Sequence, residues 1–296
     1  MRRLIAAVFV VTVAATGCSQ PSAPSPESSR AATQSVLPFA DLDHPYDVST
    51  DAAGNVYVSD IDGGRNGSNK VIELPAGAKT QRQVPYSRAT VLADPSGAVW
   101  VIDGGQSSSR FLKLAPDGGR QAVLPLPGLD MHGRIDAVDN AGNVYGMDGG
   151  GQIAGGGCCL PIHVVTQASG SNTVEVLPFQ PIEIPAGMAT DAAGNLYVGD
   201  GSRSRVLKWV PGMSGPVELP FGVLRSVIDV AVDAEGAVYA IDGQQNQVLK
   251  LAPNAAAPVV LAFQGLLRPV SVAVHGGADV FVVDAGHKRV VELKGA

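Results

Sequence analysis

The chain is poor in several things, and each shortage excludes a class. Three cysteines in 296 residues cannot supply a disulfide framework. Aromatic residues make up only 5%, so the core must be built from Val, Leu, Ile and Ala. Charged residues are 16%, acidic ones outnumber basic ones by 27 to 21, and no basic stripe is visible, which argues against nucleic acid as a partner. No convincing helical period runs beyond the first turns of the chain. The N-terminal apolar run, LIAAVFVVTVAA, has 12 residues, too short for a membrane span of about 20.

What is present in quantity is a repeated phrase. Residues 51–60 read DAAGNVYVSD, and residues 191–200 read DAAGNLYVGD. Looser copies stand at 94–103, 139–148, 233–242 and 275–284. Each has a turn, an apolar run with an aromatic at its centre, and a closing Asp; the sixth begins with His275 in place of Asp. The aromatics are Tyr57, Trp100, Tyr145, Tyr197, Tyr239 and Phe281, spaced by 43, 45, 52, 42 and 42 residues. A β-branched run precedes each phrase, a second run such as RVLKWV (205–210) follows it, and a third such as VLPF or ELPF comes later. Short Val-rich runs bounded by Gly, Pro, Asn and Asp read as strands. Four strands in about 42 residues is the pattern of a β-propeller blade.

The fold class expected is therefore all-β: a six-bladed propeller of four-stranded blades over residues 36–296. The last unit stops after its third strand, and a surplus VLPF (36–39) stands ahead of the first unit. The N-terminal strand is expected to complete the last blade and close the ring, which removes an open sheet edge.

The D-x-x-G-N-x-Y-V-x-D core, followed by R-V-x-K-L and LPF, resembles the NHL-repeat family of six-bladed propellers. It is particularly similar to the extracellular sensor propeller of bacterial receptor Ser/Thr kinases, although no kinase or membrane span accompanies it. The third unit departs most, with IHVVTQ at its third strand and a Gly-rich insertion before it. Such a resemblance implies a binding or sensor role. Six-bladed propellers also include calcium-dependent lactonases and a zinc lyase, so a metal-dependent hydrolase or lyase is the alternative.

The first 17 residues read as a signal peptide: a charged MRR, then the apolar run. ATGC (15–18) resembles a bacterial lipobox, with Cys18 as the acylated first residue of the mature chain. Residues 18–35, rich in Ser, Pro and Ala, then form a tether. Cleavage removes Arg2 and Arg3, so 21 basic residues become 19 against 27 acidic ones, a net charge of −8. The expected location is extracytoplasmic, on the outer face of the cell membrane, with the lipid as the only membrane contact and the protein a monomer.

Cys158 and Cys159 are adjacent within a Gly-rich stretch, 149–161. Adjacent Cα atoms lie about 3.8 Å apart, below the usual disulfide range of about 4.4–6.8 Å. A vicinal disulfide would be strained, and free or crosslinking thiols are the other reading.

The Asp that closes each second strand, Asp60, Asp103, Asp148, Asp200, Asp242 and Asp284, serves every unit and so is expected to serve the unit's own turn. Functional residues should break the repeat. Candidate ligand-binding residues on the channel face are His44, Asp47, Arg88, His132, Arg134, Asp229 and Arg268, placed in the loops between blades, with Arg225 beside them. Loops from second to third strands add Arg65, Arg203 and His287. Equivalent positions in other blades hold Thr90, Gly187 and Ser271. No catalytic set, metal set or cofactor motif stands out, and the partner expected is a protein, a glycan or a small-molecule ligand.

If Cys18 carries the anchor, Cys18→Ala should release the protein from the membrane into the soluble fraction. Continued membrane association of that variant in cell fractionation would refute the anchor.

Overall fold

A computed structural model of the chain describes residues 32–61, 69–87, 89–104, 109–114, 120–125, 134–148, 162–222 and 224–296. The signal peptide, Cys18, most of the expected tether, and the Cys158–Cys159 pair lie outside the described residues. Among the described residues there are six four-stranded antiparallel sheets, arranged as a six-bladed propeller, and no α-helix.

Each blade is a simple meander. Blade 4 is typical: Pro185–Thr190 lies innermost, then Leu196–Asp200, Arg205–Trp209 and, outermost, Val217–Glu218. The first hairpin of blades 1 to 5 is held by the first Asp of the repeated phrase. In blade 1, Asp51 Oδ1 accepts the backbone amides of Ala53 (3.0 Å) and Asn55 (2.8 Å). Its Oδ2 accepts the Asn55 side-chain amide (2.6 Å) and the Tyr57 hydroxyl (3.1 Å). Between them Gly54 turns at φ 83°, a left-handed conformation that favours glycine.

One carboxylate thus clamps the turn to the middle of the next strand, and this explains the central aromatic. Tyr145 and Tyr197 bond Asp139 and Asp191 in the same way, at 3.1 and 2.9 Å. Blade 2 replaces Tyr by Trp100, whose indole N–H reaches Asp94 at 3.0 Å. In blade 6 acceptor and donor disappear together: His275 stands at the Asp position and Phe281 at the Tyr position. A buried phenol without its acceptor would cost about 1–3 kcal/mol, so the paired change is what hydrogen-bond satisfaction requires.

The second Asp of the phrase braces the opposite end. Asp60, Asp200, Asp242 and Asp284 are all 0% exposed. Asp60 accepts the backbone amides of Asp43 (3.0 Å) and His44 (2.7 Å), and Asp242 that of Arg225 (3.0 Å). Asp284 accepts Leu267 N–H (2.7 Å) and the Arg289 guanidinium (2.7 Å), whereas Asp200 takes the Ser202 hydroxyl (2.6 Å) and Arg205 (3.0 Å). Asp60, Asp242 and Asp284 thus hold the loops entering blades 1, 5 and 6, and Asp200 holds the loop that follows its own strand, whereas Asp148 of blade 3 is exposed and departs from the expected role.

The core lies between neighbouring sheets. One cluster joins Met147 and Val164 of blade 3 to Met188, Val198 and Trp209 of blade 4. The third phrase differs from expectation in detail. Only the two residues before each of LPF at 177–179, LPF at 219–221 and LAF at 261–263 form the outer strand, as in Glu175–Val176 and Val217–Glu218. The LPF residues themselves turn inward, with a Phe221 N–H to Leu219 O bond of 2.8 Å, and bury Leu177, Phe179, Phe221 and Leu261 between blades.

The sixth sheet takes its outermost strand from the N-terminal side. Thr33–Val36 pairs antiparallel with Arg289–Lys294, Thr33 opposite Lys294 and Val36 opposite Val291. The strand begins inside the stretch expected as tether and precedes the VLPF phrase, of which Leu37 and Phe39 pack against blade 6 and blade 1. A truncation that starts the chain at residue 33 should therefore melt like the longer protein, whereas one that starts at residue 40 exposes the edge of Arg289–Lys294 and should melt well below it. Equal melting temperatures would contradict a ring held shut by this pairing.

Candidate functional site

Six inner strands surround one axis, so side chains that point inward from different blades meet. Two Asp candidates from the sequence lie here. Asp47 and Asp229 were expected in between-blade loops, but the structure places them on the inner strands His44–Thr50 and Val227–Val232, inside the channel. The reason is the bracing Asp beneath: Asp60 and Asp242 draw the chain into the ladder three to four residues before the channel position.

A third carboxylate joins them. Asp136 lies on the inner strand of blade 3, Arg134–Val138, one residue out of step with Asp47 and Asp229 in the repeat. A β-bulge makes up the difference: Ile135 pairs with Gly146 and Ala137 with Tyr145, which leaves Asp136 as the extra residue. Bulges re-aim side chains in this way, and Asp136 lines the same cavity as the other two.

The polar contacts around Asp47 and Asp229 run between blades. Ser271 Oγ accepts the Val48 amide (3.2 Å) and donates to Asp47 Oδ1 (3.0 Å). Asp229 Oδ2 accepts the Val272 amide (2.9 Å), and its Oδ1 accepts the Val230 amide (2.9 Å). Gly187 leaves the room that Asp229 occupies, since a Cβ there would lie 2.8 Å from the Asp229 carboxyl carbon and closer still to Oδ1.

The cavity that these residues line measures about 310 Å³ and continues along the axis to the first-hairpin face. Asp47, Asp51, Asp94, Asp136, Asp229 and Asp233 line it, with His275 near its far end and, among the described residues, no Lys or Arg. Withdrawal from water, then the charge of Asp229, holds the Asp47 carboxyl well above the usual carboxylate range; Asp136 adds to this, while hydrogen bonds from Ser271 and the Val48 amide pull the other way. Asp51 and Asp233 spend their oxygens on their own turns.

The other expected residues divide. His44 is exposed at the start of its strand, with Nδ1 3.4 Å from Asp43. Arg268 and Arg225 line a separate groove on the rim between blades 5 and 6. Arg203 and His287 are engaged with Asp200 and Asp284 and so belong to the braces. Arg65, Arg88 and His132 lie outside the described residues, as does the Arg134 side chain. Among the described residues no set of three or more His, Cys, Asp or Glu groups comes together tightly enough to hold a metal ion.

No protein-family model matches the chain, and no curated protein matches it in sequence. Solved structures do. A protein of unknown function from Bacteroides thetaiotaomicron is 14% identical with a TM-score of 0.65, over 88% of this chain and 72% of that one. A gluconolactonase from Xanthomonas campestris is 13% identical with a TM-score of 0.55, over 88% and 97%. The virginiamycin B lyase of Staphylococcus aureus, solved with quinupristin, is 11% identical with a TM-score of 0.53, over 89% and 99%. At these identities the likeness is one of fold: the chain is a six-bladed β-propeller of the shape that lactonases and lyases share.

The raised Asp47 carboxyl has a consequence for stability. Unfolded, Asp47 ionises near pH 3.9; folded, it keeps its proton to higher pH. Between those values the folded chain binds more protons than the unfolded one, so this group's contribution to stability falls as pH rises. Asp47→Asn keeps an oxygen for Ser271 and removes the charge. The variant should melt a few degrees above the parent at about pH 7.5, at roughly 2–4 °C per kcal/mol for a domain of this size. The difference should vanish near pH 3.5. A difference that does not change with pH would contradict the electrostatic account.

Proposed function

We propose that the chain is an extracytoplasmic, lipid-anchored binding module that takes a small cationic ligand, of the protonated-amine class, into its axial channel. The observation that carries this reading is the charge of the cavity: among the described residues it is lined by six Asp and by no Lys or Arg, and although Asp94 pairs with Lys113 at 3.7 Å, Asp47, Asp136 and Asp229 lie outside the first-hairpin turns. Such a volume, about 310 Å³, is at the small end of ligand pockets, which run from about 300 to 1,000 Å³. That favours a small molecule over a protein or a glycan chain. Like charges across a channel with apolar walls focus the field and draw in a cation. A bound cation also lowers the cost of ionising Asp47, so binding should release a proton where that group is still protonated. Among the described residues no three carboxylates form a group that could hold one metal ion, which favours an organic cation.

The named lactonase and lyase neighbours favour a second reading, in which the same channel turns a ligand over with the help of a divalent cation. Melting curves with putrescine, spermidine, calcium and magnesium at constant ionic strength separate the two. Under the first reading a polyamine raises the melting temperature, by about 2.7 kcal/mol of stability at 100 times Kd. Asp47→Asn with Asp229→Asn abolishes the effect. A response to calcium or magnesium alone, together with hydrolysis of a sugar lactone that depends on that ion and is lost in the same variant, would replace the first reading with the second. No response to any of the four, or an undiminished response in the double variant, would refute the channel as the site.

A further inference from the structure

The rim groove between blades 5 and 6 is separate from the acidic channel and carries the opposite charge. It has a volume of about 420 Å³ and is lined by Arg225, Ser226, Gln244 and Arg268, with Ile228 and Pro269 as its apolar floor. Ile228 faces the groove and its neighbour Asp229 the channel, so the two sites back onto one strand.

The two arginines differ from the rest. Six arginine side chains are described. Arg82 pairs with Glu73, Arg203 and Arg205 with Asp200, and Arg289 with Asp284. Among the described arginine side chains only those of Arg225 and Arg268 have no carboxylate partner, and both residues line this groove. Their backbones are nevertheless fixed. The Arg225 amide donates to Asp242 Oδ2 (3.0 Å), and its carbonyl accepts the Ser204 hydroxyl (2.7 Å). Arg268 is held in a left-handed conformation, φ 54°, where its amide donates to Asn246 Oδ1 at 2.7 Å. Left-handed backbone in a residue other than Gly, Asn or Asp is uncommon and persists where its surroundings enforce it. Asp242 could have neutralised Arg225, but it spends its oxygens on the backbone amides of Arg225, Gln244 and Gln245.

We propose that this groove is a binding site for an oxyanion, the carboxylate or phosphate group of a small ligand, held by Arg225 and Arg268 with Ser226 and Gln244 as neutral hydrogen-bonding groups. A guanidinium offers a planar fork of donors that matches two oxygens of such a group. Backbones anchored by Asp242 and Asn246 lower the ordering cost of closing both forks on one anion. In a chain with a net negative charge this groove is also where an anion meets two unneutralised cations, while the channel beside it repels one.

The test is calorimetric titration of the full propeller with inorganic phosphate and, separately, with succinate, at an ionic strength fixed with sodium chloride. Saturable binding of one of the two is expected, and which one binds identifies the group. Arg225→Gln or Arg268→Gln should each weaken it at least tenfold. Arg225→Lys, which keeps the charge and loses the fork, should fall between. Asp47→Asn should leave anion binding unchanged, so this site can fail or stand apart from the channel. Absence of saturable binding for both anions, or equal affinity in the glutamine variants that melt like the parent, would overturn the proposal.

Discussion

Six strands brought to one axis leave no choice about which side chains meet, and that constraint governs the site. Residues far apart in the chain, Asp47, Asp136 and Asp229, line one cavity because each blade contributes its inner strand to the same channel. Three carboxylates cannot all stay ionised cheaply where water is scarce. The structure meets the problem in several ways at once. Ser271 and backbone amides donate to the oxygens, Gly187 gives Asp229 room, and burial with the Asp229 charge raises the Asp47 pKa.

The repeat and the site draw on different residues. The paired Asp of units such as blades 1 and 4, Asp51 with Asp60 and Asp191 with Asp200, hold turns and loops by hydrogen bonds internal to the blade. These carboxylates are spent. The channel carboxylates interrupt the repeat, and departures from a repeat are where functional residues are expected. Removing the charge of Asp47 should therefore stabilise the fold while weakening the binding proposed for the channel, the common trade between stability and function.

Much of the fold was legible because each blade states its own rules. The strand runs, the turn glycines and the structural Asp recur, so an error in one copy is corrected by another. The site was less legible for the opposite reason. Asp47 and Asp229 stood out as departures from Thr90 and Ser271, yet they were assigned to loops, because the ladder begins earlier than the apolar run that marks it. Asp136 was missed because a single bulged residue moves it out of step, and nothing in Arg134–Val138 announces a bulge. Its one visible trace is a charged residue between Ile135 and Ala137, where other blades place apolar ones. The LPF phrase was read as strand, although its Pro and inward-turned Leu and Phe make it the turn that seals neighbouring blades.

The central claim is that the channel carboxylates share one electrostatic site. The most direct measurement is the titration of the Asp47 carboxyl carbon by NMR in the parent and in Asp229→Asn. Burial and the Asp229 charge should hold the Asp47 midpoint well above the ordinary carboxylate value in the parent, and removing that charge should lower it. An Asp47 that titrates like a free carboxylate, or one indifferent to Asp229, would contradict the account.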